Sequence, residues 1–85
     1  MKPSAETIVF NALRKVVESR LRDSLELTTT IDQLALGSFD LIELCMEIEV
    51  PADITVDPVE LVAAKNVADL VAFVAGKMSA AHPVV

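Results

Sequence analysis

Ser38 is the residue of this chain best placed for chemistry. It follows Gly37 in LALGSFDLIELCMEIE, Leu34 to Glu49, at the head of a segment with helical periodicity. A serine nucleophile needs a neighbouring base, most often a histidine oriented by an acid. The only histidine is His82, in the AAHPVV tail, and Ser38 does not sit in a G-x-S-x-G elbow. Hydrolytic chemistry is therefore the weakest reading of Ser38. A serine at the start of a helix has two other uses. It can be an ordinary N-cap, or it can be an anchor modified by another enzyme. Free backbone N–H groups and the positive end of the helix dipole favour a phosphate there. Gly37 is expected to let the backbone turn and to keep the approach to the hydroxyl open.

Other site chemistries find little support. The single cysteine, Cys45, excludes an internal disulfide and a cysteine-based zinc site, and no spacing resembles an EF-hand loop. Charge is unevenly spread. The net charge is −6, no Lys or Arg occurs from Asp23 to Ala64, and five of the seven bases lie within the first 22 residues. An acidic middle repels phosphate backbones, which argues against nucleic-acid binding, and favours a basic protein partner. Solubility alone is the bland explanation for the same acids.

Eighty-five residues make one small domain, and its apolar share is Val, Leu, Ile and Ala with only three aromatic residues. That composition suits a helical bundle. No uncharged run reaches ten residues, so the positive mean hydropathy does not signal a membrane span. Glu6 interrupts the N-terminus too early for a signal peptide's apolar region, and a cytoplasmic monomer is expected.

The elements that must position Ser38 follow from spacing and punctuation. Ser4 is expected to cap a first helix over residues 4 to 21, with Ile8, Val9, Ala12, Leu13, Val16, Val17 and Leu21 on its apolar face. LELTTTIDQLALG reads as a long ordered loop pinned to the core by Ile31, Leu34 and Leu36. A second helix is predicted from Ser38 to about Val50, where Pro51 should stop it. Asp57 and Pro58 open a short third helix, and Asn66 can cap the last one, with Val67, Leu70, Val71, Val74 and Met78 sharing a face. Residues 1–78 are thus expected to form the domain and 79–85 a flexible tail.

At about 100° per residue the second helix has three arcs. Leu41, Leu44, Cys45 and Ile48 should face the core. Asp40, Glu43 and Glu47 form an acidic stripe, and Phe39, Ile42 and Met46 a second apolar arc. Of these three, Phe39 is the one expected to be buried, under the loop. Ile42 and Met46, between acids, suit transient docking.

With these residues in place, the chain resembles the acyl carrier protein family. That family opens its second helix with a D-S-L segment of the kind D-S-L-D-x-V-E-L-x-M. The corresponding residues here run from Gly37 through Ser38, Phe39, Asp40, Leu41, Ile42, Glu43, Leu44 and Cys45 to Met46. The resemblance covers nearly the whole chain and implies an all-α, four-helix bundle of acyl-carrier type, with a long first loop and a short third helix. It implies that Ser38 carries 4′-phosphopantetheine, installed by a separate phosphopantetheinyl transferase. The arm would hold acyl groups as thioesters for enzymes of lipid or specialised-metabolite biosynthesis. Asp40, Ile42, Glu43, Met46 and Glu47 would dock basic patches on those enzymes. Leu44, Ile48, Val56, Leu61 and Ala64 would wall a cleft for the acyl chain.

Two departures stand out. Gly37 replaces the family's usual Asp, and Val50-Pro51-Ala52 replaces an acidic run. Both point to a specialised carrier with dedicated partners. A peptidyl or aminoacyl carrier would share the fold, but its G-G-[HD]-S signature is absent. An unmodified helical interaction module is the alternative from a different class.

Overall fold

Helix caps written into the sequence decide where most of the helices begin. The computed structural model describes residues 3–17 and 19–81. Helix α1, Ala5–Val16, starts at Ser4, whose hydroxyl accepts the Thr7 N–H at 3.2 Å. Helix α3, Ser38–Ala52, and the short α4, Pro58–Val62, follow the long loop. Asp57 caps α4 by accepting from the Val59 N–H, while Glu60 accepts the Asp57 N–H. Helix α5, Val67–Ala81, begins where Asn66 accepts the Asp69 N–H at 2.8 Å.

The first helix differs from expectation. It breaks at Val17, whose backbone is extended (φ −75°, ψ 158°), and resumes as α2, Ser19–Arg22. The break falls at two consecutive β-branched residues, Val16 and Val17, which fit a helix poorly. Leaving the helix turns Val17 into the core, where it is buried. The second helix also overruns its predicted stop. Pro51 lies inside α3, one residue before its end. In the last turn it costs only its own hydrogen bond to the preceding turn. The real stop is Asp53, in the left-handed region (φ 54°, ψ 51°), where Asp53 and Ile54 both donate to the Glu49 carbonyl.

The core is one cluster. Ile8, Val9, Ala12 and Leu13 of α1 meet Leu44, Cys45, Ile48 and Ala52 of α3 and Val67, Leu70 and Val74 of α5, with Val17, Leu34, Val56 and Leu61 filling its rim. Helix α1 is the centrepiece, packed against both α3 and α5, while α4 rests on α3. No polar or charged side chain is buried among the described residues. Each fully buried leucine or isoleucine contributes about 1.5–3 kcal/mol, so hydrophobic burial carries the stability.

The long loop is ordered by more than its apolar pins. Leu34 is buried and Ile31 and Leu36 half-buried, as expected. The loop backbone is also stitched to the α4–α5 junction. Ile31 donates to Lys65 O, Val67 to Thr29 O and Ala68 to Leu27 O, around an isolated bridge between Thr30 and Asn66. These bonds pair backbone groups of a loop segment that has no regular helix or strand of its own. They also hold the strand of chain that delivers Gly37 and Ser38 to α3. Helix α5 continues to Ala81, into the segment read as tail from residue 79. His82 lies outside the described residues. Among those described, no helix is long and apolar enough to cross a membrane.

Candidate functional site

Ser38 is the first residue of α3 and is exposed. It is not the N-cap. Gly37 holds that position, so the Ser38 hydroxyl is left without a hydrogen-bond partner among the described residues. Helix geometry leaves the first N–H groups of any helix without an internal acceptor. At α3 the first such bond is Leu41 N–H to Gly37 O, at 3.0 Å. Ser38, Phe39 and Asp40 therefore direct their N–H groups outward at the positive end of a 15-residue helix. A free hydroxyl beside unpaired N–H groups suits the attachment of a phosphate-bearing group.

The turn before Ser38 is made differently from expectation. Gly37 has φ −84° and ψ 178°, an extended conformation open to any residue. A Cβ placed on it would stand 3.7 Å from the Asp40 carboxylate, an ordinary contact. The left-handed residue is Ala35 (φ 51°, ψ 45°), at the end of a 3-10 turn over Asp32–Leu34. Gly37 is thus not required by the backbone. Its consequence is the cap itself: with no side chain at the cap, Asp40 reaches back and accepts the Gly37 N–H at 2.9 Å.

The residues read as a docking face are all on α3, but their roles separate. Ile42 and Met46 are exposed, 49% and 60%. Phe39, expected under the loop, is 87% exposed. The chain turns away at Ala35 and packs inward through Leu34, so nothing covers Phe39. Val50, not foreseen on this face, extends it at 83% exposure. Its signal was available in the i, i+3, i+7, i+11 spacing from Phe39, had Pro51 not suggested that the helix was ending. The acids are occupied unequally. Asp40 holds the helix cap, and Glu47 pairs with Lys15 of α1 at 3.0 Å. Glu49 accepts the Val56 N–H at 2.9 Å. Glu43 is exposed and has no partner among the described residues.

The residues read as an acyl cleft form a closed interior in this structure. Leu44, Ile48, Val56 and Leu61 are buried in the core cluster, and Ala64 is half-buried against it. The wall that α4 contributes is held by polar contacts from both sides. Glu49 grips Val56 N–H from α3, and Lys77 of α5 donates to Thr55 O at 3.0 Å and pairs with Glu60 at 3.2 Å. Surface hollows open elsewhere. One of about 470 Å³ lies between α1 and α3, bordered by Met46, Val50 and Lys15.

Cys45 is buried on the core side of α3, where burial first, and then the negative charge of Glu49, Asp57 and Glu60, push its thiol pKa up. It is held in its unreactive, protonated form. No group of residues suited to a metal ion occurs among those described. A family model described as a phosphopantetheine attachment site matches residues 11–74, from within α1 to within α5. No curated protein and no solved structure matches the chain.

Proposed function

The chain belongs to the phosphopantetheine attachment-site family, and we propose that it is an acyl carrier whose anchor is Ser38. The observation that carries the choice of residue is the free hydroxyl at the first position of α3. Within the matched region Ser24 already donates its hydroxyl to Leu21 O at 3.1 Å. Ser19 lies in the four-residue α2 and is not at the head of a long helix.

When bound, 4′-phosphopantetheine supplies a thiol that holds an acyl group as a thioester. This chain's residues do the rest. The Ser38 Oγ forms the phosphodiester as the pyrophosphate bond of coenzyme A breaks and adenosine bisphosphate leaves. The hydroxyl proton passes to the transferase or to water. Unpaired N–H groups of the first α3 turn lie beside the resulting negative charge and favour it. The domain needs no base of its own, because the enzymes it serves provide the catalysis.

Acyl groups are the cargo that this sequence favours. The G-G-[HD]-S signature of peptidyl carriers is absent, and the interior behind α3 and α4 is apolar, with Leu44, Ile48, Val56 and Leu61 as its walls. The partners are a phosphopantetheinyl transferase and acyl-processing enzymes of lipid or specialised-metabolite synthesis, meeting the carrier on Ile42, Glu43, Met46 and their neighbours. We place this work in the cytoplasm, with the carrier acting as a monomer.

Intact mass after expression beside a broad-specificity phosphopantetheinyl transferase tests the reading. One phosphopantetheine increment that disappears in Ser38→Ala is the expected result. No increment with several transferases, or an increment that persists in Ser38→Ala, overturns it.

A further inference from the structure

We propose that Lys77 sets how long an acyl chain must be before this protein shelters it. The inference rests on the reading of the chain as an acyl carrier. Leu44, Ile48, Val56 and Leu61 are buried in one closed cluster, so an acyl chain enters only if a wall moves. Helix α4 is the wall least held by burial. It has five residues, Leu61 is its one buried side chain, and Val59 and Val62 stand in water. An element with so few buried apolar contacts opens more readily than the rest of a fold.

The segment that carries α4 is tied differently on its two sides. Toward α3, Ile54 donates to Glu49 O at 3.3 Å and Val56 to the Glu49 carboxylate at 2.9 Å. Both bonds lie before α4 begins, where they act as a hinge. Toward α5, the Lys77 ammonium donates to Thr55 O at 3.0 Å and lies 3.2 Å from the Glu60 carboxylate. Glu60 is a residue of α4 itself and also accepts the Asp57 N–H at 3.1 Å. The Phe73 ring, one turn earlier on α5, lies 5.6 Å from the Lys77 ammonium and steadies it. Helix α4 packs chiefly on α3, so the Lys77 bonds latch it to α5.

Latch and cargo oppose each other with comparable strength. Both partners of the Lys77–Glu60 pair are about one-third exposed, and such a pair shifts an equilibrium by no more than about fivefold. Each methylene moved from water into an apolar interior shifts it by about fourfold. Breaking the latch therefore shortens the chain needed for sheltering by about one carbon. Short acyl groups gain too little to displace α4, and their thioester stays open to attack from solvent. Lys77 is a positioning residue in this scheme, acting on the cargo only through α4.

A transferase can load Ser38 from acetyl-, butyryl-, hexanoyl- and octanoyl-coenzyme A, and intact mass then follows hydroxylamine cleavage of each thioester. In the wild type the cleavage rate, relative to the acetyl form, should fall as the chain lengthens. In Lys77→Met the hexanoyl rate should fall a further two- to fivefold or so, with the acetyl rate unchanged. Glu60→Gln, which keeps an acceptor for the Asp57 N–H, should do the same. Lys15→Met breaks the pair between α1 and α3 instead and serves as the control. Circular dichroism and denaturant midpoints establish that each variant is folded. Hexanoyl rates equal to wild type in both latch variants, or an equal fall in Lys15→Met, overturn the latch while leaving the carrier reading intact. A wild-type rate that is the same for every chain length does so too. If the wild type takes no increment from any transferase, the carrier reading fails and the latch proposal fails with it.

Discussion

The Asp40 carboxylate accepts the Gly37 N–H at 2.9 Å, so the acid two residues after Ser38 is a cap rather than a catalyst. The bond closes the first turn of α3 around Ser38 and fixes where its hydroxyl emerges. It is also the only half of a capping box that a glycine cap permits: the Gly37 N–H is satisfied, while the N–H groups of the first turn stay without a side-chain acceptor.

Asp40→Ala should therefore destabilise the domain by about 1 kcal/mol, the usual cost of a lost cap. Asp40→Asn keeps an acceptor and should lose less. Urea denaturation of the two variants measures the difference, and equal stability of Ala and wild type would mean that the cap is idle.

Gly76 offers a gain instead of a loss. It lies inside α5, and a Cβ added there meets nothing within 4 Å. Glycine in a helix interior costs about 0.5–1 kcal/mol relative to alanine. Gly76→Ala should raise the thermal midpoint with no change in Ser38 labelling.

Burial of Cys45 predicts a pH dependence at the alkaline end. Its pKa in the folded chain lies above the ordinary thiol value of 9.0, chiefly through burial and then through Glu49, Asp57 and Glu60. As pH rises past the ordinary value, the unfolded chain releases the thiol proton while the folded chain keeps it. The unfolded state then binds fewer protons, so stability falls with pH in that window and is fully retained below it. Cys45→Val should flatten this slope in denaturation series at rising pH. A thiol reagent should also modify native wild type far more slowly than unfolded chain.

The clamp on α4 predicts where the fold opens first. Lys77 ties Thr55 O and Glu60 to α5, yet both partners in the ion pair are about one-third exposed. An ion pair so placed is worth under about 1 kcal/mol. Lys77→Met should therefore barely move global stability while raising amide exchange over residues 55–62 relative to α1. If exchange there matches wild type, Lys77 is not a restraint on α4. Opening at this element would expose Leu61 and the interior behind it.

Much of the fold was legible because its signals are local. Ser4, Asp57 with Pro58, and Asn66 each cap a helix through atoms within a few residues, so sequence spacing suffices to find them. Core faces were likewise readable, since Ile8, Leu13, Leu44, Ile48, Leu70 and Val74 recur at the helical period. The departures have different causes. The break at Val17 falls at paired β-branched residues and α3 passes Pro51 because a proline in the last turn costs one hydrogen bond, whereas the exposure of Phe39 depends on how the loop packs, which no local rule contains. The backbone pairing of residues 27–31 with 65–68 joins segments far apart in the chain and leaves no periodic trace.

By itself the sequence determined that this chain is helical, acidic through its middle, and equipped with a serine that has no catalyst near it. Those properties follow from residue type and spacing, which act over one or two helical turns. Tertiary structure alone decided that Gly37 and not Ser38 is the cap, leaving the hydroxyl free. It also decided that Glu47 and Glu49 turn to partners elsewhere in the fold while Phe39, Ile42, Met46 and Val50 remain in water. Which atoms are occupied and which are available depends on distances between elements, and those distances exist only once α1, α3 and α5 have packed.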